Sequence, residues 1–116
     1  LSPTLTIDAE VPLSSLSWNT FHTLQQLAPF GYGNPVPTFL SRRVKLLDWR
    51  AVGPLSNHLR LKLHDGRVTW PAIAFHQASA LDQPTSHLDI VYSLETNAWN
   101  DSEYLQLRVK DLRPAG

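Results

Sequence analysis

The sequence predicts a mainly β domain, a five-stranded barrel preceded by one helix and a Pro/Gly-rich connector. Three observations carry this. Hydrophobic residues follow a helical period only before residue 29, and the period changes to two from Phe39 onward. Between them, three prolines and two glycines crowd the nine residues 29–37, which excludes both helix and central strand.

After a short polar opening, Trp18, Phe21, Leu24 and Leu27 recur every third residue, with Leu16 and Ala28 alongside. This predicts a helix over about residues 15–28, capped by Ser14 or Ser17 and stopped by Pro29. Phe39 to Arg50 reads as a long strand rich in Arg and Lys, ending near Val52-Gly53-Pro54. In His58–His64, Leu59, Leu61 and Leu63 alternate with His58, Arg60, Lys62 and His64, so one face is apolar and the other cationic. Asp65-Gly66 is a hairpin signal that returns Arg67–Phe75 antiparallel, with Pro71 marking an edge or bulge. His76–Pro84 is Ala-rich and suits a short helix. Leu88–Thr96 and Glu103–Leu112 are two further strands around a turn at Asn97–Asp101. Three strands, a helix and two strands is the order of an OB barrel, whose face around its second and third strands commonly binds oligonucleotides. Residues 1–38 thus read as a connector and 39–116 as the OB domain.

Composition narrows the chemistry. The 116 residues include no Cys and no Met, which removes disulfides, thiolate metal sites and cysteine nucleophiles together. No apolar run approaches the roughly 20 residues of a bilayer span, and Leu1-Ser2-Pro3 lacks the basic start of a secretory leader. A first residue other than Met leads us to expect a piece of a longer polypeptide. Ten basic and ten acidic residues cancel, but unevenly along the chain. Residues 1–38 carry −2 and residues 71–116 carry −3. Residues 39–70 hold Arg42, Arg43, Lys45, Arg50, Arg60, Lys62 and Arg67 against Asp48 and Asp65, a net +5. A polyanion responds to that local field, although a solvated sheet surface has the same composition.

Catalytic and metal constellations find little support. His58 and His64 share a strand face but stand about 20 Å apart at ~3.3 Å per residue, too far to share an ion. His87 and Asp89 lie two residues apart on one face with no second pair, which reads as a solvated strand edge. No serine sits in a Gly-x-Ser-x-Gly elbow, and the carboxylates are scattered. Gly31-Tyr32-Gly33 runs into Asn34-Pro35 where a dinucleotide loop would continue toward a third Gly. The chain by itself therefore reads as non-catalytic, with no cofactor or metal of its own.

Single-strand binding needs cations with exposed rings between them. Arg42, Arg43, Lys45, Arg60, Lys62 and Arg67 are the expected phosphate contacts. Among Trp49, Trp70, Tyr92, Trp99 and Tyr104, Tyr92 within Ile90-Val91-Tyr92 suits the core and Trp99 suits packing in the turn. Trp70, close to Arg67 on the strand paired with the cationic one, is the leading stacking candidate.

Residues 27–39, Leu-Ala-Pro-Phe-Gly-Tyr-Gly-Asn-Pro-Val-Pro-Thr-Phe, resemble the Pro-Phe-Gly-x-Gly-Asn-Pro-x-Pro-x-Phe signature of the RecJ family of bacterial single-stranded-DNA-specific 5′ to 3′ exonucleases. The likeness spreads over nearly the whole chain. It includes Ile7-Asp8-x-Glu10 with Leu13 and Leu16, Val52-Gly53, His58-Leu59-Arg60-Leu61, Ala72-Ile73-Ala74-Phe75, Asp89-Ile90-Val91-Tyr92, Asn97-x-Trp99 and Leu105-Gln106-Leu107-x-Val109-Lys110-Asp111. The resemblance implies an OB domain that holds single-stranded DNA beside a DHH phosphoesterase domain carrying Mn2+ or Mg2+. Neither the DHH ligands nor the companion Gly-Gly-His motif is present in this sequence. It further implies a cytoplasmic parent enzyme acting in DNA repair and recombination. Phe30, Gly31, Gly33, Asn34, Pro35 and Pro37 would set the path of the connector. Pro54 stands where many relatives have a basic residue, and Asn100-Asp101 where a Gly is usual, which bear on a phosphate contact and on hairpin geometry respectively. The competing expectation is an interaction module that braces the catalytic domains or recruits a partner such as single-strand-binding protein.

Overall fold

The structure, a computed structural model, describes residues 6–83 and 85–116. The first five residues of the expected connector, and Pro84 at the end of the expected short helix, lie outside the described residues. Among the described residues the strands are β1 (Ala9–Glu10), β2 (Phe39–Val52), β3 (His58–His64), β4 (Thr69–Ala74), β5 (His87–Trp99) and β6 (Ser102–Pro114), with one α-helix, α1 (Trp18–Gln25). β2 to β6 form a single sheet in the order β2-β3-β4-β6-β5, closed by pairing of β5 back onto β2. This is the OB arrangement expected from the order of elements. β1 adds a short parallel strand, with Ala9 opposite Phe39.

Closure depends on β2 serving two neighbours. Its first half, Phe39–Lys45, pairs with β5, and its second half, Lys45–Val52, pairs with β3. Register shifts between Ser41 and Val44 and between Leu46 and Asp48 bend the strand from one partner to the other, as bulges do at barrel corners. Arg43, in the first bulge, has a φ of 52°, and its N–H donates to Asp89 Oδ1 at 2.9 Å.

The alternating residues Leu59, Leu61 and Leu63 face inward with Ala72, Ala74, Ile90, Tyr92 and Leu107. Leu13 and Leu16 join this core, so residues before 38 also pack into the barrel. Leu13 opens a 3-10 turn, Leu13–Ser15, and Leu16 follows it; within the turn the Ser14 N–H donates to Asp65 Oδ2 at 2.7 Å. That bond fastens the segment to the β3–β4 turn.

The helix is shorter at both ends than the period-three stripe predicts. Leu16 is extended because its side chain is drawn into the core. Ser17 then begins the helix in a capping box with Thr20. At the other end the N–H groups of Leu27 and Ala28 donate to the carbonyls of Leu24 and Gln25, tightening the last turn before Pro29. The expected short helix after β4 is a 3-10 turn, Ala78–Leu81, that buries Leu81. Among the described residues no helix is long and apolar enough to cross a membrane.

Candidate nucleic-acid interface

Strand register assembles a cationic surface. Arg50 of β2 lies opposite Arg60 of β3, Arg60 opposite Ile73 of β4, and Ile73 beside Arg108 of β6. Asp48, Lys62 and Pro71 form the adjacent row. Apart from Ile73, which is covered by its neighbours at 4% exposure, side chains of both rows point away from the core, because Leu61 and Ala72 between them point in. Like charges directly opposite across a sheet are destabilising. Among the described residues Arg50, Arg60 and Lys62 make no ion pair that would relieve the repulsion.

Two depressions occupy this face. One, of about 420 Å³, lies over Asp48, Arg50, Arg60, Lys62 and Pro71. The other, of about 450 Å³, runs from the β2–β3 loop at Gly53 past His58, Arg60 and Phe75 to Asn97, Gln106 and Arg108 of the β5–β6 hairpin. Arg60 borders both. A groove between these two loops is where OB barrels commonly take oligonucleotides.

The groove wall is built with close tolerances. Gly53 has a φ of +92°, and a Cβ there would lie 2.8 Å from His58 Cδ2, so only glycine fits beside the ring. His58 Nδ1 accepts the His76 N–H at 2.9 Å, and the His58 ring meets Phe75 edge-on at 5.1 Å. Phe75 is 40% exposed, and the Arg108 guanidinium lies 4.7 Å over its ring. Glu95 lies 3.7 Å from Arg108 Nη1 and accepts Gln106 Nε2 at 2.6 Å, while Asn97 Nδ2 donates to Tyr104 Oη and Gln106 Oε1. Trp99, at the tip of the hairpin, is 69% exposed.

The sequence-predicted contacts separate into groups. Arg60 and Lys62 share the groove face, with Arg50 beside them. Arg42 and Arg43 leave it at the first bulge. Arg42 pairs with Glu10 at 3.2 Å and Asp89 at 3.9 Å, and Arg43 Nη1 donates to the Gly116 carbonyl at 2.8 Å. Lys45 is exposed where β2 passes between His64 and His87. Arg67 is exposed in the β3–β4 turn, its N–H donating to Asp65 Oδ1.

Trp70 requires a correction. It is 9% exposed, and its indole N–H donates to the Leu13 carbonyl at 3.2 Å, so its ring faces belong to the core. It stands opposite Leu63, on the inward side of β4. The exposed ring is instead Phe75, directly after the opposite end of β4 and two residues beyond Ile73. Trp99 also departs from expectation, exposed at the hairpin tip instead of packed in the turn, whereas Tyr92 is fully buried as expected. Arg108 was missed because it lies outside the basic block in sequence; its alternation with Leu107 and Val109 was the available signal.

Asp89 is buried, contrary to the solvated edge expected of it. The Arg43 N–H is the main influence holding its carboxyl below the usual carboxylate range; burial opposes this, and Arg113 and Arg42 reinforce it. Its oxygens are thereby committed to the bulge and to arginines. Among the described residues no three His, Asp or Glu side chains gather to hold a metal ion, so the Mn2+ or Mg2+ implied by the resemblance has no fitting ligand set there.

The connector loop closes on Asn34, whose Nδ2 donates to the carbonyls of Leu27 at 2.7 Å and Pro29 at 2.8 Å. Gly31 and Asn34 also exchange backbone bonds, leaving Tyr32 fully exposed at the tip and Phe30 half-buried. Pro35 and Pro37 lead from this turn toward β2.

Comparison with known proteins agrees with the barrel fold. The chain is 32% identical over 111 residues to the single-stranded-DNA-specific exonuclease RecJ of Haemophilus influenzae, covering 92% of this chain and 19% of that protein. It is 24% identical to the Bacillus subtilis RecJ, covering 94% of this chain and 14% of that protein. The chain thus spans less than a fifth of the length of these relatives. The crystal structure of Thermus thermophilus RecJ in complex with Mn2+ superposes with a TM-score of 0.74 at 27% identity, over 97% of this chain and 16% of that one. The Mg2+ complex gives 0.75 at 25% identity, over 97% and 17%. The family model of the RecJ OB domain matches residues 7–111, from before β1 to within β6, and the chain belongs to that family.

Proposed function

We propose that this chain is the part of a longer RecJ-type exonuclease that holds single-stranded DNA for a catalytic DHH domain elsewhere in the parent polypeptide. The observation that carries the reading is the register-aligned row Arg50, Arg60 and Arg108, with Lys62 in the next row, crossing an OB groove without full compensation by acids. A phosphate backbone laid along these rows relieves the repulsion among the cations. Phe75 beneath Arg108 offers a flat cationic platform for a base, and Trp99 a second, sequence-tolerant ring. Lys45 and Arg67 contribute to the field from the margins, and Arg42 and Arg43 act in the fold more than on DNA. On this reading the Mn2+ or Mg2+ seen in the Thermus complexes serves the DHH part, and the parent works in cytoplasmic DNA repair and recombination.

The test is fluorescence anisotropy of this chain with labelled single-stranded and duplex oligonucleotides of equal length across a salt series. Preference for the single strand, with affinity falling steeply as salt rises, is expected. Absence of binding at low salt would overturn the proposal. It would favour the second reading, a bracing or partner-recruiting module, whose specific support is the exposed apolar surface of Leu27, Tyr32 and Val36 on the connector.

A further inference from the structure

We propose that the single-strand path does not end at the OB groove but continues past Arg108 into a second, nucleotide-sized cleft roofed by the connector. This inference rests on the proposed function. The cleft, of about 430 Å³, lies between α1, the Pro/Gly loop and the β5–β6 hairpin. It shares Glu95, Thr96 and Arg108 with the groove, so the two depressions adjoin across these residues.

Its chemistry suits a base and its phosphate. Phe21, Phe30 and Val36 form an apolar side, and Lys110 stands on the barrel side with its Nζ held 2.9 Å from Thr38 Oγ1. Among the described residues the sole carboxylate lining it is Glu95, whose oxygens are engaged by Gln106 and Arg108, so an incoming phosphate meets Arg108 and Lys110 first. Cations at Arg108 and Lys110 on the barrel side, facing the rings of Phe21 and Phe30, repeat the pairing of charge and ring found in the groove. The loop signature acquires a role as well: Asn34 ties Leu27 and Pro29 together and thereby sets Phe30 and Val36 along the cleft.

The test titrates this chain with oligothymidines from roughly 4 to 16 nucleotides, the span of OB site sizes. It compares the unaltered chain with Val36→Trp, which fills the cleft from a 40% exposed position, and with Lys110→Gln. In the unaltered chain affinity is expected to keep rising to longer oligonucleotides than in either variant, with a gap of roughly tenfold at the longest, the worth of one stacked base. Coincident length profiles would overturn the inference while leaving the groove intact, and would assign the cleft to another segment of the parent protein. Absence of binding at any length would overturn the proposed function, and this inference with it. Photocrosslinking of the unaltered chain with 5-iodouridine-substituted strands gives a check independent of any variant's folding: adducts on Phe30 or Phe21 are expected, and adducts confined to the groove would overturn the extension.

Discussion

Tyr92 is fully buried in the barrel, its hydroxyl 2.8 Å from Ser41 Oγ, which donates onward to the Val11 carbonyl at 2.6 Å. The phenol thus links β5 through β2 to the residue that follows β1. Burial pushes its pKa up to about 12, against a smaller lowering by the Ser41 hydrogen bond. In the unfolded chain the phenol ionises near its ordinary value of about 10. Between about pH 10 and 12 the unfolded state therefore loses a proton that the folded state keeps, and stability declines as pH rises through that window. Denaturant titrations across it should show a loss of roughly 2–3 kcal/mol that Tyr92→Phe abolishes, and an equal loss in the variant would assign the effect to another group. At the same scale, Trp70 was legible. A two-residue turn at Asp65-Gly66 sets it opposite Leu61 and the observed register sets it opposite Leu63, so either way the alternation assigns it to the leucine face. Its nearness in sequence to Arg67 suggested otherwise. Asp89 was not legible, because its partner is the unpaired N–H of a bulge formed by residues 46 positions away.

The β5–β6 hairpin turns on Asn100 and Asp101, both at positive φ, 50° and 63°. Two-residue hairpin turns of this kind favour Gly in the second position. Asp101→Gly should accordingly raise stability by about 0.5 kcal/mol, read as a shift of the denaturant midpoint at constant slope. A drop in midpoint would mean that the Asp101 side chain stabilises the turn in a way the backbone angles do not reveal. The strands themselves were largely legible: β3 matches the alternating run His58–His64 end to end, and the others differ at their termini. The helix was legible in kind but not in length, because Leu16 fits the helical stripe yet is claimed by the core. Tertiary burial of one leucine outweighs the modest gain of another helical turn.

Across the whole molecule the neutral total conceals a basic block, and closure of the barrel divides that block again. Arg60 and Lys62 remain on the groove face, while Arg42 turns to Glu10 and Asp89. Arg60→Ala with Lys62→Ala should weaken single-strand binding across sequences and make the log–log salt slope shallower by about 1.4, two phosphate contacts' worth. Arg42→Ala should leave the slope unchanged. Equal effects of the two changes in anisotropy titrations would mean that DNA wraps the barrel instead of following the groove.

The mainly β class, the order of elements, the cationic face of β3 and, through the residue 27–39 signature, the family are all readable from the order of residues. These are local in origin, since periodicity, turn residues and motifs lie within short windows of chain. Which cations share a surface, that Arg108 completes the row begun by Arg50 and Arg60, and that Phe75 and Trp99 are exposed where Trp70 is not, emerge once the strands are paired in space. These facts depend on register and closure, which no short window of chain contains. Closure of the sheet through a β2 bent at two bulges brings β6 beside β4 across some 35 residues of sequence, and that pairing is set by how the whole core packs.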